Sequence, residues 1–299
     1  MANALKYAVN YQKALSQMYP YKLYFGALYN TPNNGRYRWT GAKTIEIPSI
    51  ATTGRTNASR DSIGTAQRNY DNDWEQKVLT NQRKWSTLVH PKDIDQTNYV
   101  ASIANITRVF NEEQKFPEMD AYTISKLYYD WTQQSMTADT VAPTANNVLS
   151  KFDAMMLAMD NARVPRAGRI LYVTNEVKAM LKNVSQVSRS WSVQSSYAGI
   201  NREVEALDGI PVIPVPAELM KTAYNFTEGW VPAQDAGQIN MFLVSPDAVI
   251  TPVSYTFADL DEPSALSEGK YYYYEESFED AFILNKRKNA LQFNVTLGN

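Results

Sequence analysis

The stretch that decides the fold is residues 144–182, TANNVLSKFDAMMLAMDNARVPRAGRILYVTNEVKAMLK. Its first half predicts a helix, because apolar side chains recur at helical spacing along one face. These side chains are Val148, Phe152, Met155, Met156 and Met159. The apolar run at residues 169–174 predicts a buried strand, and Thr174 with Asn175 is a typical cap for a second helix reaching Lys182. The order helix, strand, helix indicates a mixed domain with a core on the methionine face.

Downstream, the sequence alternates between strand and turn signals. Asp208 and Gly209 predict a turn before residues 210–216, IPVIPVP, whose prolines favour an edge strand or a strand end. Further strands are predicted at residues 241–244, 271–278, 281–284 and 291–297. Helices and strands together predict the fold class α+β, with an α/β body that begins after residue 164.

Two more helical patterns lie upstream. The first repeats at spacings of three and four, and the second follows directly after Pro117. Their apolar residues are Val100, Ile103, Ile106 and Phe110, then Ile124, Leu127, Tyr128 and Trp131. Because proline is favoured at the start of a helix, we expect two separate helices here.

Residues 1–42 predict an arm and not a domain. A short helix places Leu5, Val9, Leu15 and Met18 roughly on one side, and turn formers then fill residues 29–35, YNTPNNG. A segment with so little of its own to bury usually lies on a neighbour.

Residues 43–95 predict a long projecting hairpin. Ile45 and Ile47 mark a short strand, residues 51–73 are polar, and apolar alternation returns at residues 74–79 and 85–89. A polar excursion this long is unusual in a compact domain and is more often functional or disordered. We interpret it as an interaction loop.

The composition excludes several classes of site. The chain has 299 residues, a formal net charge of −2 and no cysteine, which excludes disulfides, thiolate metal sites and thiol nucleophiles. It has neither an apolar run long enough to span a membrane nor the layout of a signal peptide, so we expect a soluble intracellular protein. Its twenty tyrosines and six tryptophans suit either a protein interface or a tyrosine-rich core.

Catalytic chemistry is weakly represented. The one histidine, His90, is a surface residue in our interpretation, and Ser86 lacks the glycine-flanked pattern of a nucleophile. The acidic groups at Asp71, Asp73 and Glu75, and at Asp259, Asp261 and Glu262, lack the spacing of a calcium loop and are expected to be solvated loop charges. Lys286, Arg287 and Lys288 lie between two predicted strands and suit a contact with phosphate or with another subunit as well as a solvated turn. We therefore predict no catalytic residue, no cofactor and no metal.

The order of these parts resembles the major capsid proteins of tailed bacteriophages, which share the Hong Kong 97-type capsid fold. The segments that carry the resemblance are residues 117–131 (PEMDAYTISKLYYDW), 144–182, 207–216 (LDGIPVIPVP), 241–249 (MFLVSPDAV) and 271–291 (YYYYEESFEDAFILNKRKNAL). The resemblance covers nearly the whole chain. Each segment alone is only moderately specific, and their order is the stronger argument.

The resemblance implies a domain layout. It implies an N-terminal arm at 1–42 and an E-loop hairpin at 43–95 that reaches over a neighbouring subunit. A peripheral domain with a long spine helix takes residues 96–163 and 251–285, and an axial domain takes 164–250 and 286–299.

The resemblance also implies a function. Hexamers and pentamers of the chain would form an icosahedral shell around packaged double-stranded DNA, after synthesis in a bacterial host's cytoplasm. A separate scaffolding protein is expected because the chain begins close to the arm, together with a portal and, as an optional partner, a decoration protein. Deleting residues 51–73 should leave a folded protein that forms no shells. No covalent crosslink between subunits is expected.

Two other functions remain open at this point. An encapsulin-like nanocompartment shares the fold but encloses cargo enzymes, and neighbouring genes for terminase and portal or for a peroxidase would separate the two. A hydrolase that uses carboxylates alone is a remote alternative, which a monomer with a deep acidic pocket would favour.

Overall fold

The computed structural model describes residues 23–57, 60, 68–96, 102–184 and 204–298. The predicted first helix, with Leu5 and Met18, lies outside these ranges, as do Val100 and part of the predicted polar loop.

A five-stranded mixed sheet forms the centre of the molecule. In spatial order its strands are Leu291–Thr296, Gln238–Val244, Ile170–Thr174, Ile210–Val215 and Ala206–Leu207. Ile170–Thr174 and Ile210–Val215 run parallel, and the other neighbours are antiparallel. Strand-forming runs that are apolar at nearly every position indicate burial on both faces, and both faces of this sheet are covered.

The two faces of the sheet pack against different helices. Successive strand side chains point to opposite faces, so Leu171 and Val173 join one core and Tyr172 joins another. The first core contains the helices Val148–Asn161 and Asn175–Asn183. The methionine face predicted from the sequence is buried here, and Thr174 caps the second helix as expected.

The proline-rich strand Ile210–Val215 is second from the edge. The outermost strand, Ala206–Leu207, covers only its first two residues, Ile210 and Pro211. The remainder of the outer side has no paired strand among the described residues, which suits a run whose prolines cannot donate to a ladder.

One long helix spans residues 103–133, where the sequence pattern predicted two helices. It consists of Ile103–Phe110, a π-helical turn at Asn111–Lys115, and Phe116–Gln133. In the wide turn the Phe116 N–H donates to the Asn111 carbonyl, five residues back. Proline lacks an N–H and its ring crowds the preceding turn, so a wider turn before Pro117 lets the helix continue. The expectation of two helices was wrong for this reason.

A three-stranded antiparallel sheet lies against the long helix. Its order is Val253–Asp261, Tyr271–Glu279 and Gln82–Val89. On its inner face Trp85 stacks on Phe110 of the long helix, with ring centroids 3.9 Å apart. The sheet thus brings together strands from distant parts of the sequence.

The predicted hairpin is present. Thr44–Thr52 pairs with Tyr70–Val78 over nine residue pairs, and Arg38–Trp39 adds a short third strand. Its base is anchored by Ile45 and Leu79, which are buried with Ile250, Phe278 and Phe282. The next strand, Gln82–Val89, falls within the predicted 43–95 segment but belongs to the three-stranded sheet.

Residues 23–36 of the predicted arm lie on their own subunit, so the expectation that they need a neighbour was wrong. Phe25 and Leu28 are fully buried in the core beneath the long helix. Asn34 and Thr251 exchange two hydrogen bonds, each 2.9 Å long. The segment is rich in turn formers, but its few apolar residues are enough to fix it on the core.

Short elements complete the described structure. They are the strand pairs Val249–Ile250 with Phe282–Ile283 and Tyr224–Asn225 with Val231–Pro232, the helices Gly26–Tyr29 and Pro91–Gln96, and the 3₁₀ turns Pro32–Gly35, Ala217–Leu219, Pro246–Ala248 and Asn285–Ala290. Among the helices of the described residues, none is both long and apolar enough to cross a membrane.

Candidate assembly surfaces

The two catalytic candidates, His90 and Ser86, play separate local roles. The His90 Nδ1 accepts a hydrogen bond from the Lys92 N–H at 3.1 Å, just before the helix Pro91–Gln96 gains its first turn. Ser86 is exposed and lies opposite Tyr274 in the three-stranded sheet. Within the described part of the chain no hydrogen bond joins His90 to Ser86.

Both acidic clusters lie largely on strands, where loops were expected. Asp71, Asp73 and Glu75 follow one another along one face of Tyr70–Val78. Asp259 and Asp261 are exposed near the end of their own strand, as solvated charges should be. Across the described ranges, no group of three or more acidic or histidine side chains is placed to hold a metal ion.

The basic run at 286–288 binds backbone carbonyls of its own chain. Lys286 Nζ donates to the Ile50 carbonyl at 2.7 Å and Arg287 to the Asp247 carbonyl at 2.7 Å. Lys288 Nζ donates to the Gln134 carbonyl at 2.9 Å. The run thus ties the hairpin, a 3₁₀ turn and the end of the long helix together, a role that the sequence did not indicate.

The hairpin exposes apolar side chains along both strands. Ile50, Tyr70 and Val78 are each more than half exposed, at 67%, 56% and 53%. Trp74 is also exposed, and the Arg38 guanidinium lies over its ring, 3.8 Å from the centroid. Exposed apolar groups on a narrow projection have no core to join within the subunit, so they mark a contact surface.

A polar clamp holds the hairpin to the body. The Glu75 carboxylate accepts the Asn285 N–H at 3.1 Å and lies 2.9 Å from Lys77 Nζ. Lys77 in turn donates to the Asn285 side-chain oxygen at 2.9 Å. Together with the Lys286 contact, the clamp fixes the direction in which the hairpin leaves the subunit.

The outer face of the three-stranded sheet carries a second exposed aromatic surface. Tyr255 and Phe257 are exposed, and Phe257 lies beside Tyr274, which lies beside Tyr272. The Tyr274 hydroxyl donates to Glu276 at 2.6 Å, and this bond, with some burial, raises the pKa of Tyr274 to about 12. These side chains face away from the long helix.

The whole chain is similar in structure to phage capsid structures. A structure from Mycobacterium phage Che8 has a TM-score of 0.66, with 98% of each chain covered at 12% identity. The capsid structure of cyanophage P-SCSP1u has a TM-score of 0.63, covering 98% of this chain and 93% of that chain at 12% identity. The head structure of Helicobacter pylori bacteriophage KHP40 also has a TM-score of 0.63, covering 98% and 95% at 12% identity.

The chain has the Hong Kong 97-type capsid fold. The expected fold class, α+β of this type, is confirmed. No family model matches the sequence, and no curated protein matches it. The likeness therefore rests on the shape of the backbone along nearly its whole length.

The described elements can be compared with the predicted domain layout. The hairpin of Thr44–Thr52 and Tyr70–Val78 lies within the residues predicted for the E-loop, and the helix at residues 103–133 lies within those predicted for the first part of the peripheral domain. The domain bounds remain predictions. The strand Gln82–Val89, placed with the E-loop in those bounds, pairs with Tyr271–Glu279.

Proposed function

We propose that this chain is the major capsid protein of a tailed bacteriophage. In this proposal it assembles as hexamers and pentamers into an icosahedral shell around double-stranded DNA. The observation that carries the proposal is the likeness to phage capsid structures over 98% of the chain.

The exposed hairpin supports self-assembly on physical grounds. Its strands are nine residues each, so they extend about 30 Å from the buried base. Their apolar side chains gain burial only against another molecule, and a second copy is the partner that a closed shell provides. Contacts between unlike surfaces of identical copies close into rings when the rotation allows it.

A shell of this kind involves other partners and a location. We infer a separate scaffolding protein and a portal, with a decoration protein as an optional partner, synthesis in the bacterial cytoplasm and a final place in the virion. The packaged DNA would be contacted without sequence specificity. Because Lys286, Arg287 and Lys288 already bind carbonyls within the subunit, we do not assign that contact to them.

In this role the chain needs no catalytic residue, cofactor or metal. The encapsulin-like alternative is not favoured, since the structures described above come from phages. The carboxylate-dependent hydrolase has no support in the described acidic clusters, which lie on exposed strand positions or in ion pairs.

Electron microscopy of the purified protein, with and without a co-expressed scaffolding protein, tests the proposal. We expect closed shells or ring-shaped capsomers. A protein that stays monomeric under both conditions would contradict a shell function.

A further inference from the structure

A groove of about 290 Å³ lies between the long helix and the inner face of the three-stranded sheet. Phe110 and Gln114 line it from the helix, Trp85 and Ser277 line it from the sheet, and Gly229 also contributes to its lining. The π-helical turn Asn111–Lys115 forms part of the helix wall, and turns of this kind occur often at functional sites.

Of the charged side chains that line the groove from its inner face, all but one are paired. Lys84 also borders the groove, but it is exposed and alternates with Trp85 toward the outer face, where it lowers the pKa of Glu276. Arg83 donates to Glu118 at 3.1 Å, and Lys115 Nζ lies 3.0 Å from Glu275. The Glu279 carboxylate, which also lines the groove, makes no hydrogen bond or ion pair with any described residue. On the inner face of the sheet, one carboxylate is therefore left without a direct partner.

The surroundings of Glu279 disfavour its charge. Burial raises the pKa of the Glu279 carboxyl above its ordinary value, Lys115 opposes the shift, and Glu118 and Asp280 add to it. Arg83 and Glu275 in the same groove neutralise Glu118 and Lys115 respectively, and the nearby hydroxyl of Tyr29 is neutral. A cation that binds in the groove would stabilise the charged form of the Glu279 carboxylate.

We propose that this groove receives a cationic side chain from a second copy of the chain, and that Arg55 of the hairpin supplies it. This inference rests on the proposed shell function. Arg55 is exposed three residues beyond the strand Thr44–Thr52 and pairs with no described residue. Arg68, on the returning side, already pairs with Asp71 at 3.4 Å and lies over the Tyr70 ring.

Reach and geometry favour a second copy over the same subunit. The base of the hairpin is buried against Phe278, next to Glu279, and the tip lies about 30 Å away along the strands. A guanidinium suits the site because it presents several donors in a plane and is less strongly hydrated than an ammonium.

The absence of cysteine from the sequence allows a crosslinking test without background. Thr56→Cys places a thiol beside Arg55 while keeping the arginine. Ser277→Cys places one on the strand face that carries Glu279, two residues away. An arginine–glutamate pair holds its two backbones farther apart than the roughly 7 Å between Cα atoms that a disulfide allows, so a short bis-maleimide reagent joins the thiols instead. Shells co-assembled from the two single variants and then treated with this reagent should yield a covalent dimer, with the 56–277 link identified by peptide mass.

The matched control is Ser86→Cys, on the outer face of the same sheet. If the groove receives the tip, Thr56→Cys links to Ser277→Cys and hardly at all to Ser86→Cys. Shells that form normally but link only through Ser86→Cys would overturn the groove assignment alone. Failure of the unaltered protein to form any shell or capsomer would instead overturn the proposed function.

Charge variants test the chemistry of the contact. Arg55→Gln and Glu279→Gln should each lower the yield of the 56–277 link by about tenfold, and the double variant should lower it little further, because both remove one charge pair. Arg55→Lys should restore part of the yield, and Arg68→Gln should leave it unchanged. Equal yields in all these variants would show that the two charges do not meet.

Discussion

The Asp120 carboxylate is fully buried on the long helix, where it accepts backbone N–H groups from Tyr24 at 2.8 Å and Phe25 at 3.0 Å. These bonds satisfy donors at the start of the helix Gly26–Tyr29, a position where negative charge is favourable. They join segments that are 95 and 96 residues apart in the sequence. Phe25 can then pack on Tyr172, with ring centroids 4.7 Å apart.

We predict that Asp120→Ala destabilises the unassembled subunit by about 3 kcal/mol, because it leaves buried N–H donors without an acceptor. Urea denaturation followed by tryptophan fluorescence measures the change. Asp153→Ala is the control, since Asp153 is exposed on the helix Val148–Asn161 and should change stability by less than about 0.5 kcal/mol. Similar effects of the two substitutions would contradict the role of Asp120.

Glu279 and Glu276 should affect the pH dependence of stability in opposite directions. Burial raises the pKa of Glu279, so the folded state binds its proton more tightly than the unfolded state. The contribution of Glu279 therefore falls as pH rises from about 4.5 through the raised pKa. Hydrogen bonds from Tyr274 and Gln82 lower the pKa of Glu276, so its contribution is lost as pH falls.

The measurement is the free energy of unfolding from pH 4 to pH 8. Relative to the unaltered subunit, Glu279→Gln should gain stability as pH rises, and Glu276→Gln should lose it. The two residues lie on opposite faces of one strand, so each serves as the control for the other. Parallel pH profiles for both variants and the unaltered protein would contradict this account.

Among the elements, those defined by local periodicity were predictable from the sequence and those defined by distant pairing were not. The spacing of Met155 and Met159 predicted their helix, and the alternation of apolar and polar residues after residue 291 predicted the last strand. Each pattern is complete within a short stretch of sequence. The pairing of Gln82–Val89 with Tyr271–Glu279 joins segments almost two hundred residues apart. The sequence pattern of either strand predicts a strand but does not indicate which other strand it pairs with.

The same distinction applies to the long helix and the candidate surfaces. Pro117 predicted a helix boundary, but the π-helical turn Asn111–Lys115 before it lets the helix continue. The hairpin was predictable as an interaction loop because its polar length is a local property. The unpaired charge of Glu279 was not, because it depends on which cations of other elements are already engaged.

At the scale of the whole molecule, each subunit has both a projection and surfaces that could receive one. The hairpin and the inner groove are different surfaces, so contacts between them run from one copy to the next around a ring. A subunit without a hairpin can still receive its neighbour's hairpin but cannot extend its own. Such a subunit should therefore interrupt any ring that it enters.

We predict that replacing residues 51–71 with Asn-Gly leaves a folded subunit that forms no shells by itself. Mixed with unaltered subunits, the replaced subunit should also inhibit their assembly into shells. Ile50 and Asn72 lie opposite each other, so a two-residue turn joins them in register, and the base around Ile45 and Leu79 is untouched. If a six-membered ring needs every hairpin, a mixture with one-third replaced subunits retains roughly 9% of complete rings, the sixth power of two-thirds. Sedimentation and electron microscopy of the mixtures measure the decline in complete shells. The control is a mixture with the folded variant Asp153→Ala, which should cause no decline. If the yield of shells falls only in proportion to the fraction of replaced subunit, a ring does not need every hairpin. If the replaced subunit alone forms normal shells, the hairpin has no role in assembly.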